Sequence, residues 1–403
     1  MANHSQKIVR IGAGAGYSGD RIAPAVELAE KGQLDYLVFE CLAERTIALA
    51  QLERSKNSAL GFDPLLQERM RAVLPLCVAQ HIKIITNMGA ANPQAAAQAV
   101  MAVARELGLS QLKVAAHWEA PLSRNAYEYA WFEELGAEFA EHMPRMLGRD
   151  EEAGVFFMSF LEPAQHPVWK QLLLQGQISP AFARSVGDCL GRMHRHTAQQ
   201  DRLARRFKTD AEFFSLRLEP YLLATAQRHP ALADRLHRLC AQTAQTQLAL
   251  VHGDISPKNI LVGRDGPVIL DAECAWYGDP AFDAAFCLCH LLAKCLWQPA
   301  HRAHYLAAWD AFCNAYLDGV CWEPRDAIAS RIALLLAAIL LARVDGKSPL
   351  EYLGEAERAL QRHFARRWLL AGDRTLAAFL RMPKPLYRRV FGTEWYRQAR
   401  PRI

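Results

Sequence analysis

Residues 252–259 read His-Gly-Asp-Ile-Ser-Pro-Lys-Asn, and twelve residues beyond Asn259 stands Asp271, followed at two residues by Glu273. Moving a phosphoryl group onto an alcohol requires one carboxylate to take the hydroxyl proton and further oxygen ligands to hold Mg²⁺ on the phosphates of a nucleotide. Asp254 fits the first task, and Asn259 and Asp271 fit the second. Chance would place His, Gly, Asp and Asn at these spacings in roughly one chain of this length in a few hundred. The plainer reading is a turn and a hairpin with capping carboxylates, and the joint spacing with Asp271 and Glu273 weighs against it.

Such residues must be brought together by the chain between them. Gly-Arg-Asp-Gly at 263–266 separates two apolar runs, Ile-Leu-Val and Pro-Val-Ile-Leu, which predicts a hairpin whose ends place both acidic positions at one pocket. After Trp118 the pattern turns to long helical stretches, with a β-like run at 154–160 and a β pair near 248–270, and from about 282 to 372 it is helical. From Lys7 to Ala116 short β-rich runs alternate with helical ones near 22–31, 43 onward, 64–80 and 93–107, which predicts a partial, doubly wound parallel sheet of α/β class. About four strands are countable, the last being Leu112 to Ala116, so one edge is unfinished.

The chain has 403 residues, 51% hydrophobic and 22% charged, a globular composition that excludes a mostly disordered or fibrous protein. A net charge of +5 is small for this length and argues against a dedicated nucleic-acid binder. Ten cysteines without a CxxC pair predict buried thiols in a reducing, cytoplasmic setting. No signal peptide is expected, and the most apolar stretch, Ile332 to Leu341, is about half of what spans a bilayer, so no membrane partner is expected either. Oligomeric state is not readable.

From about residue 117 to about 370 the sequence resembles the aminoglycoside phosphotransferase and choline kinase family. VHGDISPKNILV is similar to its catalytic loop and ILDAECAWYGDPAFDAAF to its metal-binding segment; PVWKQLL, GRMHRHTA and LLARVDGKSPLEYL extend the likeness. The resemblance implies a protein-kinase-like C-lobe, ATP and Mg²⁺ as cofactors, and a hydroxyl-bearing small-molecule substrate. It makes Asp254 the catalytic base and Asn259 and Asp271 metal ligands supported by Glu273, with His252 and Asp283 bracing the loops. Lys258, Glu128 of Arg-Asn-Ala-Tyr-Glu and Lys113 of Gln-Leu-Lys-Val become cofactor-binding candidates, Glu128 as the helix glutamate that pairs with a nucleotide lysine, and Glu162 falls near the hinge. Aminoglycosides, choline-like amines and sugars all remain open as acceptors. Where such a kinase has two strands and a glycine loop over ATP, this chain has helix-like Ala-Val-Ala-Arg-Glu-Leu-Gly-Leu-Ser.

Residues 7 to about 112 resemble instead the acyclic terpene utilisation proteins, through VRIGAGAGYSGD, LDYLVFECLAERTIALAQ and IITNMGAANPQAAAQAV. The chain therefore reads as a fusion: an α/β half-domain over 1–115, a phosphotransferase-like domain over 116–372 with its N-lobe largely missing, and a basic tail over 373–403. Three functions follow from this: a small-molecule kinase, a kinase-like protein that keeps the metal site but cannot hold ATP, or a terpenoid-related activity of the N-terminal segment.

Other features have plainer readings. Gly12, Gly14, Gly16 and Gly19 suggest dinucleotide binding, but Tyr17 stands where the third glycine belongs, and a tight strand-to-helix turn is the alternative. Glu40, Asn87 and Gly89 fall at predicted strand C-termini, where ligands bind in such sheets. Cys287 and Cys289 point about 200° apart on a helix, so the group with His290 and Cys295 reads as core thiols and not as a zinc site. His194, His196, His301 and His304 read as helix-face histidines, and RLARRF at 202–207 as a solvated charge run or the flank of an anionic substrate.

Overall fold

Three short strands in the N-terminal third pair side by side in the order of the chain. The computed structural model describes residues 9–109, 111–116, 122–151 and 155–370, and the chain divides into two units, Met1–Ala120 and Pro121–Ile403. The first unit runs β1 (Ile11–Ala15), α1 (Ala23–Lys31), β2 (Tyr36–Phe39), α2 (Glu44–Lys56), α3 (Leu66–Ala79), β3 (Lys83–Thr86) and α4 (Pro93–Glu106). All three strands are parallel, with Tyr36 opposite Ile11 on one side and Lys83 on the other. Leu37, Phe39, Val73 and Val103 lie in its core.

Two expectations are corrected here. The strand order β1-β2-β3 never reverses, so the described residues form a parallel sheet without the switch in direction that defines a doubly wound one. The fourth strand does not form: the Leu112 N–H donates to the Leu109 carbonyl at 3.0 Å, and this turn folds Leu112 back against the first unit's core. The first strand begins at Ile11, and the residues expected to open it, Lys7 and Ile8, lie outside the described residues, as does the tail from 371.

The second unit opens with α5 (Leu122–Gly136) and the antiparallel pair β4 (Met146–Asp150) and β5 (Val155–Met158). There follow α6 (Trp169–Leu174), α7 (Pro180–Thr197), α8 (Asp201–Arg206), α9 (Asp210–Phe213), a π-helical stretch Phe214–Leu223 that contains Pro220, α10 (Ala224–Arg228) and α11 (Ala233–Gln245). Four three-residue strands come next, β6 (Ala249–Val251), β7 (Ile260–Val262), β8 (Pro267–Ile269) and β9 (Trp276–Gly278), and then α12 (Ala281–Trp297), α13 (Arg302–Gly319), α14 (Arg325–Asp345) and α15 (Glu355–Leu370).

The predicted hairpin is β7-β8, closed by the Gly263 N–H on the Gly266 carbonyl at 2.9 Å. Gly266 has φ +135°, a conformation that suits glycine. β6 pairs instead with β9, Val251 opposite Trp276, so the segments that follow β6 and precede β9 emerge side by side. Helix α12 is mostly apolar, with Asp283, His290 and Lys294 among its few polar residues, and all of it except Trp297 is buried. Helix α14 is 21 residues, longer than its apolar stretch suggested; it is apolar and long enough to cross a membrane, yet 78% of its most apolar window is buried in this unit's core. Nine of the ten cysteines are buried, Cys287, Cys289 and Cys295 among them.

Candidate active site

The loop 252–259 joins β6 to β7, and its shape is held by groups from three elements. Asp283, in the first turn of α12 and fully buried, accepts the His252 N–H (Oδ2, 2.7 Å) and the Gly253 N–H (Oδ1, 2.8 Å). Nε2 of His252 lies 3.0 Å from the Leu270 carbonyl, which can only accept, while Nδ1 faces the Asp254 N–H at 3.2 Å, which can only donate. These partners fix the neutral Nε2–H tautomer, and burial also pushes the His252 pKa down. Gly253 has φ +81°, and a Cβ there would sit 2.7 Å from the Cys274 carbonyl oxygen. The residue before Asp254 must therefore be glycine.

Asp254 is 8% exposed, with Oδ2 at 3.2 Å from Arg217 Nη2 and 3.1 Å from Lys258 Nζ. Burial opposes its ionisation, but the two cations outweigh burial and hold the carboxyl below its ordinary pKa. Lys258 also lies 3.7 Å from Asp271, so one ammonium links the two acids. Asp271 adopts φ +68°, uncommon for a residue with a side chain. Burial, with Asp254 and Glu273 nearby, pushes its pKa up to about 6, against the opposing pull of Lys258 and a hydrogen bond from Asn259. Asn259, buried, also donates from Nδ2 to the Asp254 carbonyl at 3.2 Å.

Glu128 reaches this cluster from α5. Burial and the charges of Asp271 and Glu273 push it up to about 8, although the Ala272 N–H donates to its carboxylate. Glu273 is paired with Arg124 at 3.6 Å. The fold thus assembles Asp254, Lys258, Asn259, Asp271, Glu273 and Glu128 in the second unit. Lys113 belongs to the first unit, where it is exposed on a segment without regular structure.

These oxygens suit a hard cation. Asn259 and Asp271 offer two neutral or anionic oxygen donors, and the mutual repulsion of Glu128, Asp271 and Glu273 is an electrostatic deficit that a divalent cation relieves. Among the described residues no three His, Cys, Asp or Glu side chains converge on one point, so Mg²⁺ here would take further ligands from phosphate and water, its usual habit.

Several supporting residues were not legible as such. His194 is not a helix-face histidine: it is buried, with Nε2 3.3 Å from Asp283 and Nδ1 3.0 Å from the Tyr316 hydroxyl. Asp279 accepts from Arg331 (Nε, 3.0 Å) and from the Ala281 N–H at 3.0 Å, which fixes the start of α12 and hence Asp283. Arg217, on the π-helical stretch, carried no spacing signal at all. Arg202 and Arg206 of the RLARRF run pair with Glu134 and Glu133, tying α8 to α5. In the first unit, the amides of Gly16 and Arg21 are taken by the Asp20 carboxylate at 3.0 and 2.9 Å, so the glycine turn binds its own acid. Glu40 accepts from Asn87 Nδ2 at 2.5 Å, and Glu162 is exposed at the start of a turn.

A helical unit in which an aspartate-bearing loop lies beside a DxE strand exit is of the kinase-like phosphotransferase class. Residues 109–322, just over half of the chain, match the phosphotransferase enzyme family, and the chain belongs to that family. Residues 9–128 match the acyclic terpene utilisation family protein AtuA, so the two resemblances seen in the sequence are both found. Methylthioribose kinase of Enterobacter sp. (strain 638) is 25% identical over 216 residues, covering 46% of this chain and 52% of the relative. That of Escherichia coli O45:K1 is 26% identical over 223 residues, covering 48% and 51%. The chain spans about half the length of these curated relatives. Among solved structures, choline kinase from Streptococcus pneumoniae (15% identity, 62% of this chain and 81% of that one) has a TM-score of 0.33, and an amicoumacin kinase in complex with AMP-PNP and Ca²⁺ (16%, 64% and 79%) has 0.37.

Proposed function

We propose that the chain transfers the terminal phosphoryl group of ATP, as its Mg²⁺ complex, to a hydroxyl of a small polar molecule. The observation that carries this reading is the state of Asp254: a nearly buried carboxylate kept ionised by Arg217 and Lys258 at the wall of a cavity. In this reading Asp254 receives the acceptor's hydroxyl proton. Asn259 and Asp271 hold the metal with Glu273 behind them, while Lys258, bridging the two acids, faces the phosphates. Bound Mg·ATP supplies the transferable group and the charge that neutralises it. Glu128 keeps the nucleotide-side role that the sequence suggested for it. The protein is read as cytoplasmic, with domains near 1–115 and 116–372.

A second reading, a kinase-like protein without turnover, is favoured by one observation. Glu128 sits among acids and is pushed up to about 8, where pairing with a lysine would hold it ionised. ATP-dependent turnover of a panel of hydroxyl compounds by wild type, and by Asp254→Asn, decides between them. The proposed function predicts turnover that the substitution removes; turnover that survives it would exclude Asp254 as the base.

A further inference from the structure

Beside Asp254 lies a cavity of about 330 Å³ whose lining holds five cationic side chains against three carboxylates. Three of the cations have acid partners: Arg217 and Lys258 on Asp254, and Lys170 on Glu351 at 2.7 Å. The other two, Lys294 on α12 and Arg343 on α14, have no carboxylate partner among the described residues. Lys294 is 1% exposed; its ammonium makes one long contact, 3.4 Å to the Tyr352 hydroxyl, and lies over that ring at 4.7 Å. Arg343 is 9% exposed and gives Nη1 to Ser348 and Nη2 to His290 at 3.2 Å, while its Nε has no partner. Ser256, between Asp254 and Lys258 in the loop, also leaves its buried hydroxyl unpartnered.

Burying a cation that makes no ion pair is costly, and the acid that acts on Lys294 and Arg343 at longer range, Glu351, is already paired with Lys170, so a bound anion would supply charge that both lack. A neutral acceptor would leave that cost in place, and a cationic one would raise it. Resting on the function proposed above, we infer that the acceptor is a hydroxyl-bearing organic anion, its carboxylate or phosphate held by Lys294 and Arg343 and its hydroxyl turned toward Asp254. The step then balances: the hydroxyl proton passes to Asp254, the acceptor oxygen bonds the terminal phosphorus of ATP as the bond to the bridging oxygen breaks, and ADP leaves. Burial lowers the Lys294 pKa to about 8, still high enough for a charged ammonium at neutral pH.

The test is calorimetry on the full chain at fixed ionic strength with four probes: glycerate, glycerol 3-phosphate, glycerol and choline. At least one anion is expected to bind tenfold or more tightly than both glycerol and choline, and which one separates carboxylate from phosphate. Lys294→Met and, independently, Arg343→Gln should each weaken that binding tenfold or more, whereas Asp254→Asn should keep it and lose turnover. Equal affinity for all four probes, or anion binding indifferent to both cation variants, overturns the inference. Turnover of glycerol or choline with no anion binding overturns it while sparing the phosphotransferase reading. Anion binding without ATP-dependent turnover of any anion overturns that reading and the acceptor role together.

Discussion

Asp283 accepts the backbone N–H groups of both His252 and Gly253, at 2.7 and 2.8 Å, so one buried carboxylate on α12 sets the path of the chain into Asp254. Asp283→Asn leaves an amide group facing one of these donors. Since hydrogen bonds to a charged group contribute about 1.5–3 kcal/mol each, the variant should be less stable by about 2 kcal/mol in urea unfolding. Turnover should fall by about a hundredfold, the usual cost of displacing a catalytic group by an ångström. Wild-type rates from this variant would mean that the loop is held by other contacts.

Gly253 tests the same loop by shape. Gly253→Ala combines φ +81° with a 2.7 Å approach to a backbone oxygen, and should cost about 2 kcal/mol or more. Gly16→Ala, where an added Cβ meets nothing within 4 Å, should change stability by less than about 0.5 kcal/mol. Thermal unfolding of the two variants side by side measures the contrast.

Arg217 holds Asp254 ionised from outside the loop. With Arg217→Leu the carboxyl loses one of the two cations that hold its pKa down, so the acidic limb of the kcat/KM profile moves to higher pH. A limb that stays in place would show that Lys258 alone sets the ionisation.

Lys294 carries a pH signature in stability. Its folded pKa, about 8, lies below the 10.5 of an exposed lysine, so between these values the unfolded chain binds more protons and stability rises with pH. The difference between wild type and Lys294→Met should therefore shrink by about 3 kcal/mol from pH 8 to 10.5, with the variant the more stable form at pH 7. A difference independent of pH would place Lys294 in contact with water.

Much of this was written in the sequence. HGDISPKN and the GRDG turn were legible because they are local: the loop and hairpin are made by neighbours in the chain, and the helix periods of α1, α3 and α4 ran long enough to read. The β6-β9 pairing was not legible, since three-residue strands 24 residues apart carry no period. Leu112 to Ala116 alternates like a strand, but a turn takes the Leu112 N–H at its start. Arg217, His194 and Lys294 act through partners far off in sequence, His194 on Asp283 across 89 residues, and although His194 and Arg343 stand in segments that resemble the family, no spacing around them named their partners. Glu128 was read from the sequence as the partner of a nucleotide lysine, whereas its surroundings, burial first and then the acids Asp271 and Glu273, come only from the fold.

Whether Asp254, Asn259 and Asp271 form a working nucleotide-metal site is read from the binding of Mg·ATP to the full chain by calorimetry. Binding should require Mg²⁺ and weaken by tenfold or more in Asp271→Ala. Absence of binding, or equal binding by the variant, would contradict such a site.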